Sequence, residues 1–204
     1  MSEPRPTDLT ARARLRLAAL HLFAEHGFEA TSTRAIATEA GVSHALLRHH
    51  FGSKDGLRAA VDEDVLDTFD QELAKFEPAG GLAALGSVTA QLFGSDSLRR
   101  NYLRRVLLEG GPAGTALFQR LLTGADEQLR TLREAAGHDS ADAADTRWAP
   151  YQALFLILGP MLLEPVIGPT LDAPVFDPGP LAERSAANQR LITRGLLSPP
   201  DPAG

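Results

Sequence analysis

With 204 residues, no cysteine and 44% hydrophobic composition, the chain can bury an ordinary core but cannot form disulfides, thiolate nucleophiles, zinc ribbons or iron–sulfur centres. Its formal net charge of −6 is unevenly placed: residues 1–60 carry eight Lys or Arg against six Asp or Glu, and residues 61–204 carry twelve against twenty. The imbalance points to an N-terminal segment that meets an anion and a C-terminal body that does not.

Apolar positions recur three and four apart along the chain and strand-like alternation is almost absent, so an all-α fold is expected. Over residues 8–26, Leu15, Ala18, Ala19, Leu22 and Phe23 fall on one face, and Gly27 stands where a left-handed terminating residue is wanted. The segment LRLAALHLF is cut by Arg16 and His21 and does not read as a signal peptide, so a cytoplasmic protein is expected. In TSTRAIATEAG, Ser32 or Thr33 caps a short helix with Ile36, Ala37 and Ala40 as its buried stripe and Gly41 as its stop. Ser43 caps a third helix ending near Phe51, and Ser53 caps a fourth reaching about residue 76.

The segment EPAGG at 77–81 is the expected domain boundary, separating a first domain at 1–55, with 54–76 as connecting helix, from a second at 77–204. Helical patterns follow at 82–93, 97–109, 112–136, 144–167 and 180–197, about nine helices in all. Gly159-Pro160 is expected to kink or break the fourth of these. The longest uncharged apolar run, ALFLILGPMLL at 153–163, falls short of the roughly 20 residues of a bilayer crossing, and no membrane partner is expected.

The stretch GVSHALLRHHFGSKDGL at 41–57 gathers three histidines, an arginine and a lysine in an acidic chain. Two short helices joined by a tight turn after Gly41 form a helix-turn-helix arrangement. At about 100° per residue from His44, the positions Leu46, Leu47, His50 and Phe51 share one face, while His44, Ala45, Arg48 and His49 share the other. The first face docks on Ile36, Ala40 and Phe23. The second is left free, and an α-helix fits the major groove of B-DNA. The pattern by itself leaves two readings, a groove-reading helix or an ordinary solvated face. A metal site is not expected, because His44 and His49 are five apart and neither a carboxylate nor a cysteine joins them at ligand spacing. No HExxH, GxxxxGK[ST] or GxSxG run is present and no GxGxxG follows a strand, so neither an enzyme nor a cofactor is expected.

The run LFAEHGFEATSTRAIATEAGVSHALLRHHFGSKDGL, residues 22–57, resembles the DNA-binding domain of the TetR family of bacterial transcriptional regulators. Phe23, Gly27, Thr31, Ile36-Ala37, Ala40-Gly41-Val42-Ser43, Leu47, Phe51, Ser53-Lys54 and Leu57 keep the family's spacing. The resemblance implies an N-terminal three-helix DNA-binding domain linked by a fourth helix to a helical ligand-binding and dimerisation domain. It implies a homodimeric repressor on palindromic double-stranded operator DNA, released by a small, largely apolar effector. A helical sensor or binding module without sequence-specific DNA binding remains the alternative.

By position, the resemblance makes Arg34, His44, Ala45, Arg48 and His49 readers of base edges and Thr33, His50 and Lys54 holders of phosphate, with Ser43 heading the recognition helix. Arg48 stands where the family usually carries Tyr, replacing a stacking hydroxyl by a cation able to grip guanine or phosphate. Leu46 replaces a smaller residue, for core packing or for a thymine methyl.

One helix-turn-helix touches too few base pairs for discrimination, so the second domain is expected to dimerise. Candidates are the apolar pattern at 151–163 and the last helix, with Leu181, Ala187, Leu191 and Ile192, although both stripes equally suit an intramolecular core. Tyr102, Phe118, Trp148, Tyr151, Phe155 and Met161 are the candidate lining of an effector cavity, with core packing as the alternative for each. Glu109 and Glu164 are expected to pair with Arg104 or Arg105 or to face a cationic ligand.

Overall fold

The computed structural model of the protein describes residues 10–74, 94, 97–135 and 143–193. Among these, no strand is found and the order of helices is α1 (Ala11–His26), α2 (Thr33–Glu39), α3 (His44–Phe51), α4 (Lys54–Leu73), α5 (Ser97–Glu109), α6 (Gly111–Ala135), α7 (Ala143–Leu162), α8 (Glu164–Ile167) and α9 (Pro178–Leu191). The all-α class read from periodicity is the one observed. The boundary segment at 77–81 and the helix expected at 82–93 lie outside the described residues. The chain forms two compact units, Met1–Phe69 with Leu98–Glu109, and Asp70–Ser97 with Gly110–Gly204.

In the N-terminal unit α1 starts at Thr10, whose hydroxyl accepts from the Ala13 amide at 3.3 Å, and it buries Leu15, Ala18, Ala19 and Phe23. Its end differs from the expected left-handed stop. Gly27 has φ 85° but ψ 168°, a region open in practice to glycine alone, and a Cβ there would stand 2.8 Å from Glu109 Oε1. Buried Thr31 ties the following loop back by donating its hydroxyl to the Gly27 carbonyl at 2.7 Å.

α5 completes this unit. Arg105 donates from Nε to the Ala24 carbonyl at 3.1 Å and from Nη2 to the Glu25 carbonyl at 2.8 Å, so a side chain of α5 satisfies carbonyls that α1 leaves free at its end. Glu109 makes its ion pair with Arg58 at 3.9 Å, a partner not among the Arg104, Arg105 or cationic ligand expected for it. Asp64 on α4 lies between Arg16 of α1 at 3.3 Å and Arg99 of α5 at 3.7 Å.

Tyr102, 1% exposed, packs its ring 6.5 Å from Phe23 and donates its hydroxyl to Asp62 Oδ1 at 2.7 Å. Burial raises the Asp62 carboxyl above its ordinary range, outweighing the opposing pull of the Tyr102 hydrogen bond and Arg58. Burial, and then the Asp62 charge, pushes the Tyr102 hydroxyl up as well. An acid raised by folding favours the folded state at low pH, and that contribution is lost as pH rises through the raised value. Asp62→Asn keeps an oxygen for Tyr102 and removes the charge. Its thermal midpoint is expected to exceed that of the wild type at about pH 7.5, with the gap closing below the carboxylate range near pH 4. Circular dichroism melts across this range check it; a variant less stable at the upper pH contradicts it.

In the C-terminal unit α6 packs on α7, with Leu129, Ala149 and Ala153 in one buried cluster. Of the kink or break expected at Gly159-Pro160, no break is found there. α7 continues through Pro150 and Pro160 to Leu162, and the chain turns at Leu163 before α8. A proline at 160 leaves the carbonyl four residues earlier without its amide, and Asn188 of α9 donates its Nδ2 to that Leu156 carbonyl at 3.4 Å. In the stripe expected on α9, Leu181 and Ile192 are each 7% exposed and belong to the core of this unit, whereas Leu191 is 60% exposed.

Candidate nucleic-acid interface

The turn between α2 and α3 is set by local chemistry. Ser32 accepts from the Ala35 amide at 3.1 Å and starts α2, and Gly41, at φ 62°, takes the left-handed position that ends it. Ser43 accepts from the Leu46 amide at 3.2 Å and starts α3 at His44. The Val42 amide bonds the Ala37 carbonyl at 3.0 Å across the turn.

α3 packs against α1 and α2, and its burial is one-sided. Leu47 is 0% exposed, and Leu46, His50 and Phe51 are partly covered. Ala45, Arg48 and His49 are exposed, as is Arg34 on α2. Partial burial of Leu46 agrees with added packing as the reason for the larger residue.

His44 is half-buried and its Nε2 lies 2.9 Å from Thr33 Oγ1, so the first residues of α2 and α3 are joined side chain to side chain. At the other end of α3, His50 lies between two rings, with centroids 5.3 Å from His49 and 6.2 Å from Phe51. Lys54, the first residue of α4, holds its ammonium 4.2 Å over the Phe28 ring and donates to the Glu29 carbonyl at 3.3 Å. Ser53 caps α4 by accepting from the Gly56 amide at 3.0 Å. The structure adds a residue that the sequence reading left out: exposed Arg12 of α1 sets its guanidinium 5.6 Å over the Phe51 ring, beside the end of α3. The only sequence signal for it is a basic residue on α1, which does not by itself show that the side chain reaches the end of α3. Arg12, Arg34, Arg48 and His49 are exposed and Lys54 is partly covered, on helices whose starts are capped by Thr10, Ser32, Ser43 and Ser53, and such fixed donors are what polyanion recognition needs.

The residues expected around an effector separate into groups. Tyr102 belongs to the core of the N-terminal unit, because its hydroxyl is engaged by Asp62 and its ring by Phe23. Tyr151 of α7 gathers three others, with centroids 6.2 Å from Phe118, 5.4 Å from Trp148 and 6.4 Å from Phe155. Trp148 and Phe155 are 50% and 57% exposed, and Met161 is fully buried.

Residues 15–61 match the family model described as bacterial regulatory proteins, tetR family. The chain is 40% identical over 129 residues to the HTH-type transcriptional regulatory protein RaaS of Mycobacterium tuberculosis, a match spanning 61% of this chain and 58% of RaaS. It is 33% identical over 150 residues to the HTH-type transcriptional regulator Mb3439c of Mycobacterium bovis, covering 74% of this chain and 71% of that protein. Among solved structures, a transcriptional regulator from Rhodococcus sp. Rha1 superposes with a TM-score of 0.70 at 23% identity, over 94% of this chain and 100% of that one, a likeness of fold. The chain belongs to the TetR family of bacterial regulatory proteins.

Proposed function

We propose that the protein is a homodimeric transcriptional repressor, working in the cytoplasm, that reads a palindromic DNA operator with α3 and releases it when a small, largely apolar effector binds the C-terminal unit. The observation that carries this reading is the two-sidedness of α3, with Leu47 wholly buried and Ala45, Arg48 and His49 exposed beside Arg34. A helix held by its apolar side and offering donors on the other suits a major groove. Arg34, His44, Ala45, Arg48 and His49 take base edges. Thr33, Ser43, His50, Lys54 and Arg12 take the backbone.

Pairing follows from need and from surface. A single helix-turn-helix contacts one half-site, and the segment from the end of α7 to α9 leaves Leu163, Val166 and Leu191 more than half exposed, apolar area that a second copy covers. The aromatic group around Tyr151 is the part of this unit best suited to an apolar effector. Such a ligand acts only through different affinities for the DNA-binding and DNA-free arrangements.

Selection of bound sequences from a randomised duplex library tests the reading. An inverted repeat with half-site centres about one helical turn apart or a multiple of it is expected, bound by a species of twice the 21.8 kDa chain mass in sedimentation. Recovery of no enriched sequence at low salt contradicts it. Lys54→Ala is expected to weaken matched and scrambled duplexes alike and to lower the slope of log affinity against log salt by about one. Fluorescence anisotropy across a salt series measures both, and a loss confined to the matched duplex contradicts the backbone role.

A further inference from the structure

We propose that Thr33 determines which base edge His44 reads, by holding the imidazole in the tautomer whose Nε2 carries the proton and whose Nδ1 is an acceptor. The inference rests on the reading of α3 as the recognition helix and adds to it a positioning residue on the neighbouring helix.

The contact at issue is Thr33 Oγ1 to His44 Nε2, 2.9 Å. Thr33 opens α2 and His44 opens α3, both are half-buried, and neither side chain has a second hydrogen-bond partner among the described residues. A neutral imidazole has one donor nitrogen and one acceptor nitrogen, and a hydroxyl has one hydrogen and two lone pairs, so the contact admits two arrangements. In one the Thr33 hydroxyl donates to Nε2, the ring proton sits on Nδ1, and His44 offers a donor. In the other Nε2–H donates to Oγ1, Nδ1 keeps its lone pair, and the hydroxyl hydrogen stays available.

A polyanion decides between them. Beside phosphate the first arrangement consumes the hydroxyl hydrogen and turns lone pairs toward negative oxygen, while the second leaves that hydrogen to bond a phosphate oxygen. The second is therefore the arrangement on DNA. Its consequence is chemical selectivity: a neutral ring presenting only an acceptor takes the amino group of adenine N6 or cytosine N4 and is repelled by the oxygen of guanine O6 or thymine O4. Arg48, one helical turn along α3, offers only donors, so the two residues would read opposite classes of base edge from the same face.

The test takes the site selected by the wild type and locates the base position whose preference disappears in His44→Ala. Duplexes with each of the four bases there are titrated by anisotropy at about pH 8. The wild type is expected to favour adenine or cytosine over guanine or thymine by about fivefold, the ratio of one net hydrogen bond. Thr33→Val keeps the branched shape without the hydroxyl and is expected to reduce the ratio below about twofold, whereas Thr33→Ser restores it. In a His44→Ala background Thr33→Val changes no ratio. The inference is overturned if Thr33→Val weakens all four duplexes equally at an unchanged ratio, if the wild type prefers guanine or thymine, or if His44→Ala alters no position. A library that yields no enriched site instead removes the recognition-helix reading itself, and this inference with it.

Discussion

Arg48→Ala is expected to lower affinity for the selected operator by about 1–3 kcal/mol, roughly five- to a hundredfold, and to relax preference at one base position in each half-site. The side chain stands exposed on α3, one turn beyond His44, while Leu47 beside it in sequence is fixed in the core. A guanidinium presents a planar fork that matches N7 and O6 of guanine with two bonds, and an ammonium cannot reproduce that geometry. Arg48→Lys should therefore keep most of the salt dependence and lose most of the preference. Anisotropy titrations with single-base variants of the site separate the two contributions. If both variants weaken every duplex equally, Arg48 grips the backbone and the sequence is read by its neighbours.

Leu47→Ala should produce the largest change in stability, about 2–5 kcal/mol, because it removes a wholly buried side chain and leaves a cavity in a small core. That is a sizeable part of the roughly 5–15 kcal/mol typical of a folded domain. Urea titration followed by circular dichroism measures it, and Leu47→Met, close in volume, should cost less than about 1.5 kcal/mol. Operator binding should fail in the alanine variant at temperatures where the wild type still binds. A loss under about 1 kcal/mol would mean that α3 is not anchored through this residue, and its outward face would then have no fixed position.

The elements that the sequence makes legible are those set by neighbours in the chain. Ser32, Ser43 and Ser53 act as caps, Gly41 as a stop and Leu47 as the buried knob, since caps and helical period operate over three or four residues. What escapes is set across distance. Arg105 closes the end of α1 from about eighty residues away, and nothing near position 105 distinguishes it from Arg104. Tyr102 looks like a ligand-lining aromatic because a tyrosine in a helix rich in leucine and arginine reads the same whether its hydroxyl meets an effector or a carboxylate forty residues earlier. For Pro160 the local rule allows a kink or a break, and it is Asn188, distant in sequence, that takes up the carbonyl the proline leaves over while the helix continues. In the candidate site, the faces of α3 are readable from the helical period, while the Thr33 to His44 bond and the seat of Arg12 on Phe51 depend on how three helices meet.

Ala45 is exposed on the outward face of α3, carries no charge itself, and offers the most direct test of where that face goes. A photoreactive benzoyl-phenylalanine placed at 45 and irradiated on the selected operator should join the protein to bases at two positions related by the symmetry of the site. The same group at Asp55, exposed near the start of α4, should give no base crosslink. Crosslinks at 45 that are absent, or spread along the duplex without regard to sequence, would contradict the placement of α3 in the major groove.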